Sequence, residues 1–269
     1  MHTIPPDVTL MIDRLQQAGY QVSRDAKGSY YQGMLKLAGD LAGMAFLRHE
    51  PILRLLTNAQ VRKGIAYTFG EMKAIALPRQ DTEKFARLMQ DLAGRQLFIR
   101  GYVLQCPVCS LELWYPLSDI NEQMRCQGCR SWFQLPLELN FAYRLNHLFA
   151  VGVNQGALSV LLTALYLQRN SQAMVWDANY QLKKNGEKIE LDLIAICDGM
   201  LVLAECKDNF KSEEITGQLR NTLCLADDIG ADRFIFATLK TEIPPSIADV
   251  LENRGTLLQR AELLASTGE

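Results

Sequence analysis

The chain has 269 residues, of which 48% are hydrophobic and 22% are charged, as is typical of a globular protein. No stretch reaches the roughly 18 uninterrupted apolar residues that a membrane-spanning helix needs, and the N-terminus lacks the basic start and apolar run of an export signal. We therefore expect a soluble, cytoplasmic protein with no membrane partner. The net charge of −2 is not the basic charge of many nucleic-acid binders, although a nuclease can concentrate positive charge in one cleft.

The first part of the chain, residues 1–98, is predicted to be mainly helical. Apolar residues with helical spacing predict helices at 51–76 and 81–93. No catalytic constellation occurs in this region. Arg62 and Lys63 belong to a scattered set of basic residues that we interpret as a solvated face, and the role of the region is open.

Residues 99–140 are predicted to form a zinc ribbon. Sixteen residues, 110–125, separate two Cys-x-x-Cys pairs, and this spacing suits one tetrahedral Zn²⁺. Without an export signal, such pairs indicate metal binding rather than disulfides. Because a set of four cysteines leaves no open coordination position, the zinc should be structural and coupled to local folding. The predicted ligands are Cys106, Cys109, Cys126 and Cys129.

The aromatic residues of the ribbon allow two interpretations. They could stack on nucleic-acid bases beside Arg125 and Arg130, or they could pack the ribbon against its neighbours, which is the interpretation we favour. These aromatic residues are Trp114, Tyr115, Trp132 and Phe133.

The last part, residues 141–269, has an α/β pattern. Phe141, Leu145 and Leu148 have helical spacing, which predicts a helix after Leu137, with His147 as a surface or partly packed histidine. The elements predicted to follow are a helix at 156–168, strands at 174–182, 189–197 and 200–207, a helix at 212–229, a strand at 233–238 and two short helices.

Two of these strands are joined by Asp198-Gly199, which predicts a tight hairpin turn because both central positions of a type I′ turn have positive φ. The turn sets the register of the two strands, and period-two alternation then places four polar side chains on one face. The register opposes them in two pairs, Asp192 with Glu205 and Glu190 with Lys207.

The pair of opposed carboxylates predicts a metal site. Directly opposed side chains have Cβ atoms about 4.5–5.5 Å apart, and like charges there destabilise the strand pair. Mg²⁺ removes that conflict, so Asp192 and Glu205 are predicted to bind Mg²⁺, with Mn²⁺ as an alternative. Lys207 could then hold or help deprotonate the attacking water while the metal stabilises charge on a phosphate. The alternative is a solvent-facing hairpin with one accidental Asp–Glu pair. The other residues on this face are apolar, which argues against that alternative.

Glu190-Leu191-Asp192, the turn and Glu205-Cys206-Lys207 resemble the core of the PD-(D/E)XK nuclease superfamily. The similarity covers roughly residues 150–240. It implies a restriction-endonuclease-like α/β fold, a mixed sheet flanked by helices, in which Asp192 and Glu205 bind the metal and Lys207 assists hydrolysis. Glu190 resembles an acidic position that is sometimes seen two residues before the aspartate.

Two further positions bear on this resemblance. Gln218 is similar to a glutamine that several branches of the superfamily carry on the helix after the second strand, although a plain surface glutamine is equally compatible with the pattern. Many members also carry a glutamate on the preceding helix, and residues 156–162 contain no acid. The number of catalytic metals is therefore open.

Together these features predict a protein of three parts: residues 1–98, the zinc ribbon at 99–140 and a nuclease domain at 141–269. The expected activity is that of a Mg²⁺-dependent endo- or exonuclease acting on DNA, in a role such as restriction or anti-phage defence. The alternative is a non-catalytic nucleic-acid-binding or scaffold protein that retains the nuclease fold. A homodimer, or a partner protein bound through the N-terminal region or the ribbon, is left open.

Overall fold

The computed structural model describes residues 6–76, 82–252 and 254–265. The chain divides into two compact units, one formed by residues 1–49 with 155–269 and the other by residues 50–154. This division differs from the three consecutive parts predicted from the sequence, because the first 49 residues belong with the C-terminal part.

The secondary structure is as follows. The helices are α1 (Pro6–Gln17), α2 (Lys27–Ala38), α3 (Glu50–Thr57), α4 (Ala59–Arg62), α5 (Phe69–Ala76), α6 (Thr82–Gly94), α7 (His147–Asn154), α8 (Ala157–Arg169), α9 (Ser212–Asp228), α10 (Pro245–Leu251) and α11 (Arg260–Leu264). The strands are β1 (Gln21–Arg24), β2 (Tyr67–Thr68), β3 (Phe98–Gln105), β4 (Glu112–Pro116), β5 (Gln123–Arg125), β6 (Trp132–Gln134), β7 (Phe141–Leu145), β8 (Met174–Lys184), β9 (Glu187–Cys197), β10 (Met200–Lys207), β11 (Arg233–Thr238) and β12 (Thr256–Leu258).

The first unit is built on a mixed sheet. Among the described residues, six strands lie in the order β1-β8-β9-β10-β11-β12, with antiparallel pairing from β1 to β10 and parallel pairing from β10 to β12. The turn between β9 and β10 is confirmed, since Asp198 and Gly199 have φ of 51° and 85°. Asn185 and Gly186 make a similar turn between β8 and β9, with φ of 52° and 87°.

Helices cover both faces of this sheet, as the sequence predicts for an α/β fold. Neighbouring residues of a strand point to opposite faces. Glu205 of β10 accepts a hydrogen bond from Thr222 of α9, whereas the next residue, Cys206, contacts Thr163 of α8 at 3.5 Å. The helices α8 and α9 therefore lie on opposite sides of β10.

The N-terminal segment joins this unit through backbone pairing and an apolar face. The strand β1 pairs antiparallel with β8, and α1 buries residues at helical spacing in the same core as α9. Those residues are Val8, Met11 and Leu15. The strand β1 thus extends the sheet, and α1 covers part of its face.

The second unit contains a sheet of order β2-β7-β3-β4 and the β5-β6 pair. The helix predicted through Phe141 and Leu145 is wrong, because these residues form β7, which pairs antiparallel with β3, and the helix begins only at His147. The helix predicted at 51–76 is likewise broken. Asn58 caps a new helix, accepting hydrogen bonds from two backbone N–H groups, and Gly64, with φ of 78°, follows the end of that helix.

In the described parts of the chain, no helix is by itself long and apolar enough to span a membrane, and α7 and α8 meet that criterion only when taken together.

Candidate active site

The predicted acidic pair lies where the pairing of β9 and β10 ends. The two strands follow the predicted register as far as Leu193 and Ala204. Asp192 and Glu205 lie just beyond the last backbone pair. Instead, Asp192 Oδ2 accepts the backbone N–H of Cys206 at 2.8 Å. The Asp192 carboxylate therefore accepts a backbone hydrogen bond at the end of β10 in place of a pairing strand.

The backbone on the other side of β9 is irregular at the same level. Asn179 in β8 has φ of 59°, the β8–β9 pairing is interrupted there, and the Asn179 carbonyl accepts the backbone N–H of Asp25 at 3.0 Å. Leu191 packs in the same core cluster as Ile194. The strict alternation predicted along β9 therefore does not hold across Asp192.

Three of the predicted site residues are in direct contact. Lys207 Nζ lies 2.9 Å from Asp192 Oδ2 and 2.7 Å from Glu205 Oε1. Thr222 Oγ1 donates to the other carboxylate oxygen of Glu205 at 3.0 Å. The Glu205 side chain is only 3% exposed. Its ionised form is therefore stabilised by Lys207 and Thr222 rather than by water.

The burial of this cluster alters its titration. Burial, reinforced by the Asp192 charge, raises the pKa of Glu205 to about 7. Burial alone would lower the pKa of Lys207, but the two neighbouring carboxylates outweigh it and the pKa is raised. Lys207 is therefore an ammonium at neutral pH, and two acids share its single positive charge. Such a site favours an additional cation.

The raised pKa of Glu205 predicts a pH dependence of folding stability without divalent metal. Glu205 takes up a proton more readily in the folded than in the unfolded chain, so its contribution is complete below pH 4.5 and is lost as pH rises through about 7. Relative to a Glu205→Gln variant, the wild type should lose up to about 3 kcal/mol over this interval. Urea denaturation of both proteins between pH 5 and 8 measures the difference. A difference that stays constant or grows with pH would contradict the prediction.

A cavity of about 150 Å³ opens beside the cluster. The other two predicted site residues, Glu190 and Gln218, line it together with Glu205 and Lys207. Glu190 is an exposed residue, and its carboxylate lies 3.5 Å from Lys27 Nζ. The predicted backbone opposition of Glu190 and Lys207 falls beyond the end of the β9–β10 ladder. These two positions thus border the site without joining the buried cluster.

The structure adds residues that sequence reasoning missed. Thr222 is buried and lies one helical turn after Gln218, a spacing that could have indicated its position. Tyr31 of α2 is 3% exposed, and its burial raises its pKa. Asp208, next to Lys207, accepts the backbone N–H of Ser159 near the start of α8 at 2.7 Å. No local sequence pattern predicts the position of Tyr31 or the contact between Asp208 and Ser159.

The four cysteines of the second unit come together as predicted. Their sulfur atoms all lie within 4.8 Å of one another, with Cys106 and Cys129 at 3.6 Å and Cys109 and Cys126 at 3.7 Å. A tetrahedral zinc with Zn–S bonds of about 2.3 Å requires S–S separations of about 3.8 Å. Hydrogen bonds from Ser131 lower the pKa of Cys129 to about 6, whereas the pKa of Cys109 in the same cluster is raised to about 11, so the support for a metal comes from the positions of the sulfur atoms. The cluster is compatible with zinc.

The two cysteine pairs are held by matching turns. The Cys106 carbonyl accepts the Ser110 N–H and the Cys126 carbonyl accepts the Arg130 N–H, at 2.8 and 3.0 Å. Ser110 and Arg130 both have positive φ, 59° and 67°. Each pair thus forms a knuckle, and the backbone fixes where the sulfur atoms point.

The four aromatic residues of the ribbon differ in their surroundings, and the ring centroid of Trp114 lies 4.3 Å from the Arg144 guanidinium of β7. Tyr115 and Phe133 are buried in the core of the ribbon itself, which leaves them unavailable for stacking on bases but is packing within the ribbon rather than the predicted packing against its neighbours. Trp132 is 64% exposed, with the Arg125 guanidinium 5.8 Å from its ring centroid.

No protein-family model and no curated protein sequence matches the chain. Among solved structures, protein VC1899 from Vibrio cholerae is similar, with 14% identity and a TM-score of 0.45 over 94% of this chain and 58% of that one. Can2 from Sulfobacillus thermosulfidooxidans, solved in complex with cyclic tetra-adenylate, is similar with 11% identity and a TM-score of 0.40 over 93% of this chain and 57% of that one. The chain thus spans less than two thirds of either protein. Likeness at this level does not define function, which is derived below from the chain's own residues.

Proposed function

We propose that the protein is a metal-dependent nuclease that hydrolyses phosphodiester bonds, with DNA as its substrate. The observation that carries this proposal is the convergence of Asp192, Glu205 and Lys207 at the end of the hairpin. Two buried acids and a lysine beside a cavity are a costly arrangement for a purely structural hairpin. The sequence resemblance to the PD-(D/E)XK nucleases supports the same assignment.

The donor set of the site fits a hard divalent cation. Asp192 and Glu205 offer carboxylate oxygens, and Mg²⁺ is commonly bound by one or two carboxylates together with substrate phosphates and water. These two residues would hold Mg²⁺, or Mn²⁺ in its place. The bound ion would stabilise the negative charge that develops on the phosphate during hydrolysis.

The chain's own residues have distinct roles in this proposal. Thr222 holds one oxygen of Glu205 and so orients that carboxylate. Lys207 lines the cavity, where it can hold the attacking water and donate to a phosphoryl oxygen. Glu190 and Gln218 border the same cavity, and we assign them contacts with the substrate.

In this proposal the unit formed by residues 50–154 carries a structural metal site and takes no part in the hydrolysis. The four-cysteine cluster would bind a structural zinc, because its closed ligand set leaves no position for a substrate. Restriction or anti-phage defence would suit a nuclease with such an added module, and either the ribbon or an N-terminal surface could bind a second copy or a partner protein.

A cleavage assay tests the proposal. Purified full-length protein is incubated with plasmid DNA, linear double-stranded DNA, single-stranded DNA and RNA, with and without Mg²⁺. We expect cleavage of DNA only when Mg²⁺ is present, and strongly reduced cleavage by Lys207→Ala and Asp192→Ala. Cleavage that survives both substitutions undiminished would overturn the active-site assignment, and binding without cleavage by the wild type would favour the non-catalytic alternative.

A further inference from the structure

A second cavity, of about 240 Å³, opens within residues 50–154. It lies where the end of α4, the end of β7 and the start of α7 meet. Four of its lining residues carry a nitrogen cation or can do so, and no carboxylate lines it. They are Arg62, Lys63, Arg144 and His147.

These basic groups lack acidic partners in the part of the chain that the structure describes. No described carboxylate forms an ion pair with any of the four. The Nε atom of Arg62 is buried and has no hydrogen-bond partner among the described residues. A buried guanidinium N–H without an acceptor is destabilising, and neighbouring cations repel one another. An anion bound in the cavity would offset the repulsion between its cations.

A backbone turn and an aromatic ring lie next to two of these basic residues. Gly64 follows Arg62 and Lys63 at the C-terminal end of α4 and has a positive φ. Its backbone N–H donates to the Val61 carbonyl at 3.0 Å. The Arg144 guanidinium lies 4.3 Å from the ring centroid of Trp114. The ring contact restrains the Arg144 guanidinium through its face and leaves its N–H groups available as donors, so less side-chain freedom is lost when Arg144 binds an anion.

We propose that this cavity binds a phosphate group. Its volume is below the roughly 300–1,000 Å³ of pockets that enclose drug-sized ligands, and guanidinium groups bind phosphate through paired, charge-assisted hydrogen bonds. A strand of nucleic acid and a free nucleotide both present this chemistry. The inference is independent of the catalysis proposed for Asp192, Glu205 and Lys207, because it concerns binding by the other unit.

Binding measured without added Mg²⁺ tests the inference on the full-length protein. Three probes distinguish the sources: a fluorescein-labelled single-stranded DNA of 12 nucleotides followed by anisotropy, and ATP and inorganic phosphate followed by calorimetry. We expect Lys63→Gln and Arg144→Gln each to weaken at least one probe by about tenfold, the loss of one charge-assisted hydrogen bond. Arg87→Gln, which alters an exposed arginine paired with Glu83, should bind as the wild type does.

The three probes distinguish a nucleic-acid ligand from a free anion. An effect confined to the DNA probe assigns the cavity to a nucleic-acid backbone, and an effect on ATP or phosphate assigns it to a free anion. Lys63 is exposed, so its substitution should leave the fold intact, which thermal melting checks. If the wild type binds none of the probes, or if Lys63→Gln and Arg144→Gln bind every probe as the wild type does, the inference is overturned.

Discussion

Lys207→Ala should reduce Mg²⁺-dependent DNA cleavage by about 10²–10⁴-fold, the usual contribution of a positioned proton-transfer or donor group. The variant retains both carboxylates, so it should still bind the metal. Removal of the ammonium that lies 2.9 and 2.7 Å from Asp192 and Glu205 should even tighten Mg²⁺ binding, because no positive charge then competes for the same oxygens. Single-turnover cleavage and calorimetric Mg²⁺ titration measure the two effects separately.

The same substitution should have a metal-dependent effect on stability. Without Mg²⁺, the variant has no cation beside the two buried acids, and breaking a buried ionic network costs about 3–5 kcal/mol. Mg²⁺ should restore much of this loss, because a ligand that binds only the folded state stabilises it. Lys183→Ala, an exposed lysine on β8 of the same unit, is the matched control. Equal stability of Lys207→Ala with and without Mg²⁺ would count against a metal at this acid pair.

Cys126→Ser should abolish zinc binding and unfold the ribbon. Cys126 is fully buried in the small ribbon core, and structural zinc sites contribute apparent binding free energies of about 10–16 kcal/mol. We expect the zinc content to fall from about one ion per chain to almost none, and proteolysis to become rapid within the ribbon. Elemental analysis and limited trypsin digestion provide the two measurements.

Cys224→Ser is the control for this experiment, since Cys224 is exposed and lies outside the four-cysteine cluster. It should retain zinc and resist digestion as the wild type does. Full zinc content in Cys126→Ser would show that the cluster does not hold the metal with four sulfur ligands.

Features encoded by short local patterns were predictable from the sequence. Asp198-Gly199 specified the turn, and the register that follows from it is observed up to Leu193 and Ala204. The spacing of the two Cys-x-x-Cys pairs was enough to predict the four-sulfur cluster. In both cases the signal depends on residues close in sequence, where backbone geometry leaves few alternatives.

Features set by distant partners were not predictable in this way. The segment Phe141–Leu145 has helical spacing but becomes a strand, because pairing with β3 outweighs local preference. The contact of Asp208 with Ser159 and the burial of Tyr31 depend on helix packing that no pattern in one sequence reveals. Asn185-Gly186, by contrast, is a local turn signal of the same kind as Asp198-Gly199.

The basic cavity illustrates the same limit. Arg62 and Lys63 looked like part of a solvated face, and His147 like a surface histidine. Only the fold places them around one cavity with Arg144, because Arg144 and His147 follow Arg62 and Lys63 by about 80 residues in the sequence. Charge patterns read along the chain miss sites that are assembled across it.

Binding of Mn²⁺, followed by electron paramagnetic resonance on zinc-loaded protein, tests most directly whether the acid pair holds a divalent cation. We expect the wild type to bind Mn²⁺ and Asp192→Asn to bind it at least about 10–100-fold more weakly, the loss caused even by removing a residue that only supports a metal ligand. Equal Mn²⁺ affinity in the two proteins would contradict a metal site at Asp192 and Glu205.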